Sequence, residues 1–361
     1  MVKEMGKRKK IILSIVIPCL NEEKTIREAI FAAHGAGEKY LKGLFEVIVA
    51  DNGSTDSSIK IVKATKKSRL VKVPIRGYGA ALHWGILSSR GSYVFFADAD
   101  MSYDFYELGK FLKFLAKKYD LVLGSRFKGE IHPGAMPSLN RYVGTPLLTF
   151  FIQRLYGIKT TDSNSGMRLV KKSFYEKLHM RNSGMEWDSE VLIKTSLNKG
   201  KYAEVPINLY KDRRDTPPRL SRFTDGWRNL KTIVLLKPNS LIFPLVSLWL
   251  LAAIFFKTSL GLSFFFLFLS ASLALSIFAA KLLNFAIANI QSRTILIMNK
   301  IPIVFIVIIT TAFALPLISF ISDEHLGIKL FLGGAIAILN MWVFLIETIR
   351  THLINSLPEK F

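Results

Sequence analysis

Short apolar runs alternate with helical patterns through the first third of the chain, and this alternation constrains the fold more than any other feature. Two helical patterns are clear: one after Asn21, which can cap it, with Ile26 and Ile30 on its apolar face, and one over 57–67. Strands that alternate with helices usually pair in parallel, so the order predicts a largely parallel sheet with helices on both faces. The predicted strands cover 11–18, 45–50, 70–73, 92–97 and 120–126.

Polar residues follow each predicted strand. The carboxyl ends of parallel strands meet at one sheet edge, where open α/β sheets bind their ligands, so these residues predict a cleft. Gly77 and Gly79 do not fit the dinucleotide pattern G-x-G-x-x-G, and no Walker A motif is present, which excludes the usual dehydrogenase and NTPase loops. The polar residues are Asn21 and Glu22, Asp51 and Asp56, Arg76, Asp98 and Asp100, and Arg126.

The stretch FFADADMS brings Asp98 and Asp100 to the end of an apolar strand. Two carboxylates one residue apart repel each other unless a cation lies between them. We therefore predict a divalent metal that carries an anionic substrate. From these residues alone, an acidic turn that caps a helix beginning near Tyr103 remains the alternative.

The net charge is strongly positive, with 49 lysines and arginines against 27 acidic residues, and the excess lies in the N-terminal two thirds. Such a field attracts polyanions: nucleic acid, anionic lipid headgroups or phosphorylated substrates. We expect no nucleic-acid partner, because the sequence has no zinc-ligand spacing, RNA-binding aromatic signature or helix-turn-helix pattern. The single cysteine, Cys19, excludes an intramolecular disulfide and fits a reducing compartment.

The last third of the chain contains long apolar runs, each about the length needed to cross a bilayer. They predict four transmembrane helices, and a buried soluble bundle is the alternative. The loop with Lys281 and Arg293 is basic, whereas the loop with Asp323 and Glu324 is acidic. By the positive-inside rule, both termini and the large N-terminal domain are predicted to face the cytoplasm. The runs cover 241–256, 260–280, 301–320 and 328–346.

Several motifs in this order resemble glycosyltransferase family 2: SIVIPCLNEEKTI, DNGSTD, RGYGAAL, DADMS and SGMRL. The layout is similar to the polyprenyl-phosphate glycosyltransferases of that family, such as dolichyl-phosphate mannose synthase and the dolichyl- or undecaprenyl-phosphate glucosyltransferases. The resemblance covers roughly 11–229 and implies a GT-A fold, which is Rossmann-like with a mostly parallel sheet. We expect this organisation: a GT-A catalytic domain over 1–218, an amphipathic juxtamembrane helix over 219–239, a four-helix transmembrane domain over 240–350 and a cytoplasmic tail over 351–361.

The resemblance also implies roles for individual residues. Asp98 and Asp100 match the family's DxD motif, which implies Mg²⁺ or Mn²⁺ with Asp100 as the direct ligand. Simple helix capping by Asn21 and Glu22, and a solvated turn position for Arg76, remain the alternatives. The implied nucleotide-sugar site comprises Pro18, Asn21, Glu22, Asp51, Arg76, Gly79, Asp98 and, near the sugar, Asp162, Ser165 and Gly166. For Glu186, Asp188 and Glu190 of MEWDSE, stabilisation of a helix N-terminus competes with a catalytic role.

The acceptor decides the subfamily. A hydroxyl acceptor needs a general base, whereas a lipid phosphate is already an anion and needs only cations. The Q-x-x-R-W motif of polysaccharide synthases in this family is absent. Arginine suits phosphate because its planar fork binds two oxygens. The available arginines are Arg126, Arg141, Arg168, Arg213, Arg214, Arg219 and Arg222. We predict that the acceptor phosphate is bound by Arg126, Arg141, Arg213 and Arg214. Arg126 is also predicted to be catalytic, together with Asp98 and Asp100. For the KDRR run, the alternative is that its side chains are solvated or contact anionic lipid headgroups.

Two segments, 219–236 and 138–157, carry apolar residues at helical spacing with basic residues between them, and both are predicted to lie in the membrane interface. A core helix is the alternative. We predict an inverting, metal-dependent transfer of a hexose from a nucleotide-diphosphate sugar, of UDP-glucose or GDP-mannose type, to a membrane polyprenyl phosphate. Two rivals remain: transfer to a hydroxyl, with Asp162 or Glu186 as base, and an inactive membrane scaffold or flippase partner. The sequence leaves a homo-oligomer open.

Overall fold

The computed structural model describes residues 10–214, 222–237, 246–248, 250–251 and 254. Its strands are β1 (Leu13–Cys19), β2 (Phe45–Asp51), β3 (Arg69–Lys72), β4 (Tyr93–Phe96), β5 (Leu121–Ser125), β6 (Arg168–Lys171) and β7 (Tyr202–Pro206). Its helices are α1 (Ile26–Leu41), α2 (Ser58–Thr65), α3 (Tyr78–Leu87), α4 (Leu108–Ala116), α5 (Thr145–Tyr156), α6 (Lys172–Lys177), α7 (Trp187–Leu197) and α8 (Arg222–Leu235). A 3₁₀ turn at Phe105–Glu107 precedes α4, and a π-helical turn at Asn140–Gly144 precedes α5.

The described strands form one seven-stranded sheet in the order β3-β2-β1-β4-β6-β5-β7. All neighbours pair in parallel except β6, which runs antiparallel to both β4 and β5. The largely parallel sheet predicted from the alternation is therefore confirmed, and the five predicted strands agree with β1 to β5 within about two residues at each end. The sequence reading did not include β6 and β7.

Strand β1 shows why the sheet has helices on both faces. All seven of its residues are buried, and successive side chains of a strand point to opposite faces. Ile15 and Ile17 join the core cluster that contains Ile30 of α1. On the opposite face, Val16 meets α3 so closely that a Cβ on Gly85 would lie 2.4 Å from its Cγ1. Burial of each large aliphatic side chain stabilises this arrangement by about 1.5–3 kcal/mol.

Asn21 does not cap α1, so that part of the prediction was wrong. The helix begins after Thr25, and Asn21 adopts a left-handed backbone conformation with φ of 48°. Its Oδ1 instead accepts a hydrogen bond of 2.7 Å from the Thr55 N–H. The side chain therefore ties the loop after β1 to the loop after β2, which helps to shape one wall at the carboxyl edge of the sheet.

The two segments predicted to lie at a membrane interface both contain helices, α8 and α5. In α8, Asn229 and Ile233 are buried, and the Tyr156 hydroxyl donates to the Ile233 carbonyl at 2.5 Å, so this face packs on the domain. In α5, Thr149 and Ile152 are buried while the opposite face is exposed. Among the described residues, no helix combines the length and apolarity that a bilayer span requires. The predicted spans lie almost entirely outside the described residues.

Candidate active site

A cleft of about 390 Å³ opens at the carboxyl ends of β1, β2 and β4. Loops from different parts of the chain meet there because parallel strands all end at the same edge. The described residues that line it are Pro18, Cys19, Leu20, Glu22, Asn52, Arg76, Gly77, Tyr78, Ala81, Asp98, Ala99, Asp100, Gly184, Met185, Arg214, Asp225 and Arg228. Six of the residues predicted from the sequence are therefore brought together: Pro18, Glu22, Arg76, Asp98, Asp100 and Arg214.

The two carboxylates after β4 lie in different surroundings. Asp100 is well supplied with donors: its Oδ1 accepts from the Ser102 N–H at 3.0 Å and the Ser102 hydroxyl at 2.6 Å, and its Oδ2 lies 2.6 Å from Arg214 Nη2. Burial, together with the charges of Asp100 and Asp188, raises the pKa of Asp98 to about 8, against a hydrogen bond from Tyr78 that lowers it. Burial is the largest cause of this shift, and the nearby charge of Arg214 opposes it.

These groups fit a hard divalent cation. Within the part of the chain that the structure describes, no three His, Cys, Asp or Glu side chains are grouped as metal ligands. Mg²⁺ and Mn²⁺ are commonly held by one or two carboxylates, with substrate phosphates and water as the remaining oxygen ligands. Asp98 and Asp100 supply that donor set, and the charge that raises the pKa of Asp98 is the charge that a cation would offset.

Gly166 packs directly against Asp98. A Cβ at this position would lie 2.6 Å from Asp98 Oδ2, and the Gly166 N–H donates to the Tyr103 hydroxyl at 3.0 Å. Only glycine allows the backbone to come this close to the carboxylate. Gly166 therefore contacts a residue of the cleft without lining the cleft itself, and its placement near the donor sugar stays a prediction.

Arg126 and Asp162 form a bidentate salt bridge, and neither residue lines the cleft. Arg126 Nε and Nη2 each lie 2.7 Å from an oxygen of Asp162, and the Arg126 N–H donates to the same carboxylate at 3.0 Å. Asp162 is fully buried. Each group has a charged partner, and neither lines the cleft.

Arg168 was among the candidate phosphate-binding arginines, and here the structure corrects the prediction. Its side chain is fully buried and donates to the carbonyls of Ser163, Ser165 and Asp188 at 2.9 Å each. Its Nη2 also lies 3.0 Å from Asp188 Oδ1. Arg168 therefore links the TDSNSG loop, including the predicted Ser165, to the start of α7, and no phosphate can reach it.

The acidic MEWDSE stretch supports the loop beside the cleft. Burial raises the pKa of Asp188 to about 6, while Arg168 and Arg126 lower it. Glu190 accepts from the backbone N–H groups of Arg181 and Asn182 and lies 2.7 Å from Lys194 Nζ. These contacts hold the loop whose Gly184 and Met185 line the cleft. Asp188 and Glu190 lie in the first turn of α7, as the structural alternative requires, and their side chains also pair with Arg168 and Lys194.

Of the remaining arginines predicted to bind the acceptor phosphate, one lines the cleft and two do not. Arg213 is mostly exposed and pairs with Glu28 at 2.6 Å, and Arg141 lies over the ring of its neighbour Tyr142; neither lines the cleft. Arg214 does line it, between Glu22 and Asp100. Arg219 and the side chain of Arg222 lie outside the described residues.

Three of the predicted donor-site residues shape the cleft without lining it. Asn21 ties two loops together, as described above. Asp51 accepts from the N–H groups of Gly53 and Ser54 at 3.2 Å each, which closes the turn after β2. Gly79 lies where a Cβ would approach Trp187 to 2.5 Å, so it allows α3 to pack against the start of α7.

The sequence reading missed several lining residues: Asn52, Tyr78, Gly184, Met185, Asp225 and Arg228. Asn52 could have been predicted from the sequence, because it directly follows Asp51 in the DNGSTD turn. Its Nδ2 donates to the Ile75 carbonyl at 2.8 Å and its Oδ1 accepts from the Gly77 N–H at 2.7 Å, which joins two loops. Asp225 and Arg228 could not have been predicted in this way, since only the tertiary packing of α8 brings them to the cleft.

Several known proteins are similar to this chain in sequence, in fold or in both. Residues 14–179 match the family Glycosyl transferase family 2. An uncharacterised glycosyltransferase of Mycobacterium bovis is 38% identical over 197 residues, which are 54% of this chain and 84% of that protein. The low-salt glycan biosynthesis hexosyltransferase Agl6 of Haloferax volcanii is 36% identical over 230 residues, and the match covers 63% of this chain and 54% of Agl6. This chain thus spans about half the length of Agl6.

A dolichyl-phosphate beta-glucosyltransferase of Dictyostelium discoideum is 27% identical over 218 residues, or 55% of this chain and 66% of that protein. Among solved structures, glucosyl-3-phosphoglycerate synthase from Mycobacterium tuberculosis, in complex with Mn²⁺, UDP and glucosyl-3-phosphoglycerate, has a TM-score of 0.50 at 24% identity, covering 62% of this chain and 78% of that one. The fold is therefore a GT-A-like α/β domain with a mostly parallel sheet. The chain belongs to glycosyltransferase family 2 and is a glycosyltransferase, as the sequence motifs predicted.

Proposed function

We propose that this glycosyltransferase moves one hexose from a nucleotide-diphosphate sugar to the phosphate of a membrane polyprenyl lipid of dolichyl or undecaprenyl type. The observation that carries the proposal is the content of the cleft, where Asp98 and Asp100 lie beside Arg76, Arg214 and Arg228. Carboxylates suit a metal-bridged diphosphate and arginines suit phosphate oxygens. The names of two relatives support the choice: a hexosyltransferase, and a glucosyltransferase that acts on dolichyl phosphate.

The chemistry needs no protein nucleophile. An oxygen of the acceptor phosphate attacks the anomeric carbon, the bond from that carbon to the diphosphate oxygen breaks, and the electron pair leaves with the nucleoside diphosphate. A single displacement inverts the configuration, so an α-linked donor gives a β-linked lipid monophosphate sugar. A divalent cation held by Asp98 and Asp100 would supply charge stabilisation for the leaving diphosphate. The arginines of the cleft would orient the two anionic substrates for in-line attack.

The two bases predicted from the sequence for a hydroxyl acceptor, Asp162 and Glu186, do not line the cleft. Hydroxyl transfer needs a carboxylate within hydrogen-bond reach of the acceptor proton. Asp162 is bound by Arg126 through both oxygens, and Glu186 is buried beside Gly184 without lining the cleft. A phosphate acceptor arrives without a proton to lose, so the arrangement suits it directly.

We also propose that the catalytic domain faces the cytoplasm and docks on the membrane through α5 and the π-helical turn before it. Single exposed apolar residues are normal on a protein surface, but a contiguous group is not. Basic residues accompany the group, with Arg141 and Arg154 on the same segment, as expected of a helix at an anionic lipid surface. The exposed apolar side chains, with their exposed fractions, are Leu139 (45%), Tyr142 (70%), Val143 (51%), Leu147 (51%) and Phe150 (56%).

The test uses membranes that contain the full chain, Mg²⁺ or Mn²⁺, a polyprenyl phosphate and a panel of labelled nucleotide sugars. We expect label from one donor to become extractable into organic solvent and to be released by mild acid. Asp100→Asn should abolish the label. Asp104→Asn is the matched control, because Asp104 caps the 3₁₀ turn four residues away and does not line the cleft. Nucleotide binding without lipid-linked label from any donor would contradict the phosphate acceptor and favour a hydroxyl acceptor.

A further inference from the structure

Arg214 bridges two carboxylates across the cleft. Its Nη2 lies 2.6 Å from Asp100 Oδ2, and its Nη1 lies 3.3 Å from Glu22 Oε1. The backbone before it is fixed to the Asp100 loop, since the Arg213 N–H donates to the Asp100 carbonyl at 3.0 Å. The Tyr210 N–H donates to the Ser102 carbonyl at 2.9 Å. Arg214 is therefore held beside Asp100 by the adjacent main chain.

Asp100 has no carboxylate oxygen without a donor. Ser102 donates to Oδ1 through both its N–H and its hydroxyl, and Arg214 donates to Oδ2. Of these donors, only Arg214 carries a charge. A divalent cation that takes Asp100 as a ligand would meet the guanidinium at van der Waals range, where two like charges repel strongly. The cation and Arg214 therefore compete for the same carboxylate.

We propose that Arg214 occupies the cation position on Asp100 in the unloaded enzyme and leaves it when metal and donor bind. Arg214 then becomes available to the second anionic substrate, the acceptor phosphate. The proposal rests on the proposed function and adds to it a competition between Arg214 and the cation at Asp100. Because coupling between two binding events is reciprocal, Arg214 weakens metal binding by the same factor by which the metal weakens the contact between Arg214 and Asp100.

The guanidinium has a further donor to offer. Arg214 Nε is buried and has no hydrogen-bond partner among the described residues. A buried donor without a partner is costly, and a phosphate oxygen would satisfy it. The neighbouring arginine cannot substitute for it in this place, since Arg213 points to the exposed pair with Glu28. Arg214 is thus a positioning residue for the acceptor as well as a competitor of the cation.

The direct test measures binding of Mn²⁺ alone to the full chain, from the electron paramagnetic resonance signal of the free ion, without nucleotide. We expect Arg214→Gln to bind Mn²⁺ about tenfold more tightly than the unmodified protein, which corresponds to the loss of one charged competitor. Arg214→Lys, which keeps the charge but loses the fork, should lie between the two. Arg213→Gln is the matched control and should leave Mn²⁺ affinity unchanged, because it removes the adjacent arginine outside the cleft.

A second measurement separates this role from a structural one. With donor and acceptor present, Arg214→Gln should lower the Mn²⁺ concentration for half-maximal activity while raising the KM for the acceptor phosphate several-fold. A residue that merely stabilised the cleft would worsen both. If Arg214→Gln binds Mn²⁺ no more tightly than the unmodified protein, the competition is wrong. If neither protein binds Mn²⁺ with or without UDP, the metal part of the proposed function fails as well, and the two failures are distinguishable.

Discussion

Arginine–aspartate pairs appear in two regions of this molecule, one buried behind the sheet edge and one open to the cleft. In the buried pairs, Arg126 with Asp162 and Arg168 with Asp188, the side chains are at most 12% exposed. In the open pair, Arg214 with Asp100, the arginine is 21% exposed and lines the cleft. The residue types are the same in both regions.

What differs is the set of other partners. Arg168 is satisfied by three backbone carbonyls as well as by its carboxylate, so it has nothing left for a ligand. Arg214 has a buried Nε without a partner in the described part of the chain. A buried pair that loses one member leaves an uncompensated charge, whereas an accessible pair can exchange one member for a ligand. The first kind of pair holds loops in place, and the second kind can take part in binding.

The largest expected effect is on stability and comes from disrupting a buried pair, Arg168 with Asp188. Arg168→Met leaves Asp188 and two loop carbonyls without their donor, and we expect the free energy of unfolding to fall by about 3–5 kcal/mol. Thermal unfolding of the full chain in detergent measures this. Arg214→Gln, the open-pair counterpart, should cost less, because Asp100 keeps both hydrogen bonds from Ser102 and no loop carbonyl loses its donor. Equal losses from both variants would show that the two regions do not differ as described.

The next largest effect is on turnover and concerns Asp100 of the open pair. Asp100→Asn removes a charge from the cleft but keeps the shape of the side chain, so we expect turnover to fall about 10²–10³-fold with little change in the melting temperature. Steady-state rates with the labelled donor measure it. Asp104→Asn should keep its turnover within about twofold. A stable Asp100→Asn variant with full turnover at low metal concentration would exclude Asp100 from the metal site.

Gly166 tests the contact between the two regions, because it joins the buried TDSNSG loop to Asp98 of the cleft. Gly166→Ala places a Cβ 2.6 Å from Asp98 Oδ2, and we expect a loss of stability of about 1–3 kcal/mol together with weaker nucleotide binding. Gly226→Ala is the control, since a Cβ there meets nothing within 4 Å and its helix favours alanine. Unchanged stability and binding in Gly166→Ala would mean that the loop moves away from Asp98 without cost.

The smallest effect concerns the exposed face of α5. Leu147→Cys and Phe150→Cys, labelled with a polarity-sensitive fluorophore, should be quenched by a lipid-borne quencher when the full chain is in vesicles. Cys19 is 2% exposed, and burial raises the pKa of its thiol to about 12, which disfavours the reactive thiolate. The unmodified protein, carried through the same labelling, measures any label on Cys19. Phe31→Cys on α1 is the control, with a similar exposed fraction of 46%, and should be quenched much less. Equal quenching at all three sites would contradict docking through α5.

Strands β1 to β5, the mostly parallel pairing and the family could all be predicted from the sequence. These follow from local patterns: β-branched runs mark strands, their alternation with helices implies parallel pairing, and the DNGSTD and DADMS motifs lie where such strands end. The same patterns predicted that Asp98, Asp100, Glu22 and Arg76 would meet, because strand ends share one edge of a sheet.

Which charged side chains can reach a ligand in the cleft depends on the tertiary structure. Nothing in the letters of SGMRL or KDRR indicates that Arg168 is enclosed by carbonyls, that Arg213 pairs with Glu28, or that Arg214 reaches Asp100. Burial and long-range pairing depend on residues more than a hundred positions apart, as in the contact of Arg214 with Asp100. Local sequence patterns do not encode such contacts, so only the fold separates Arg214, which lines the cleft, from Arg126 and Arg213, which do not.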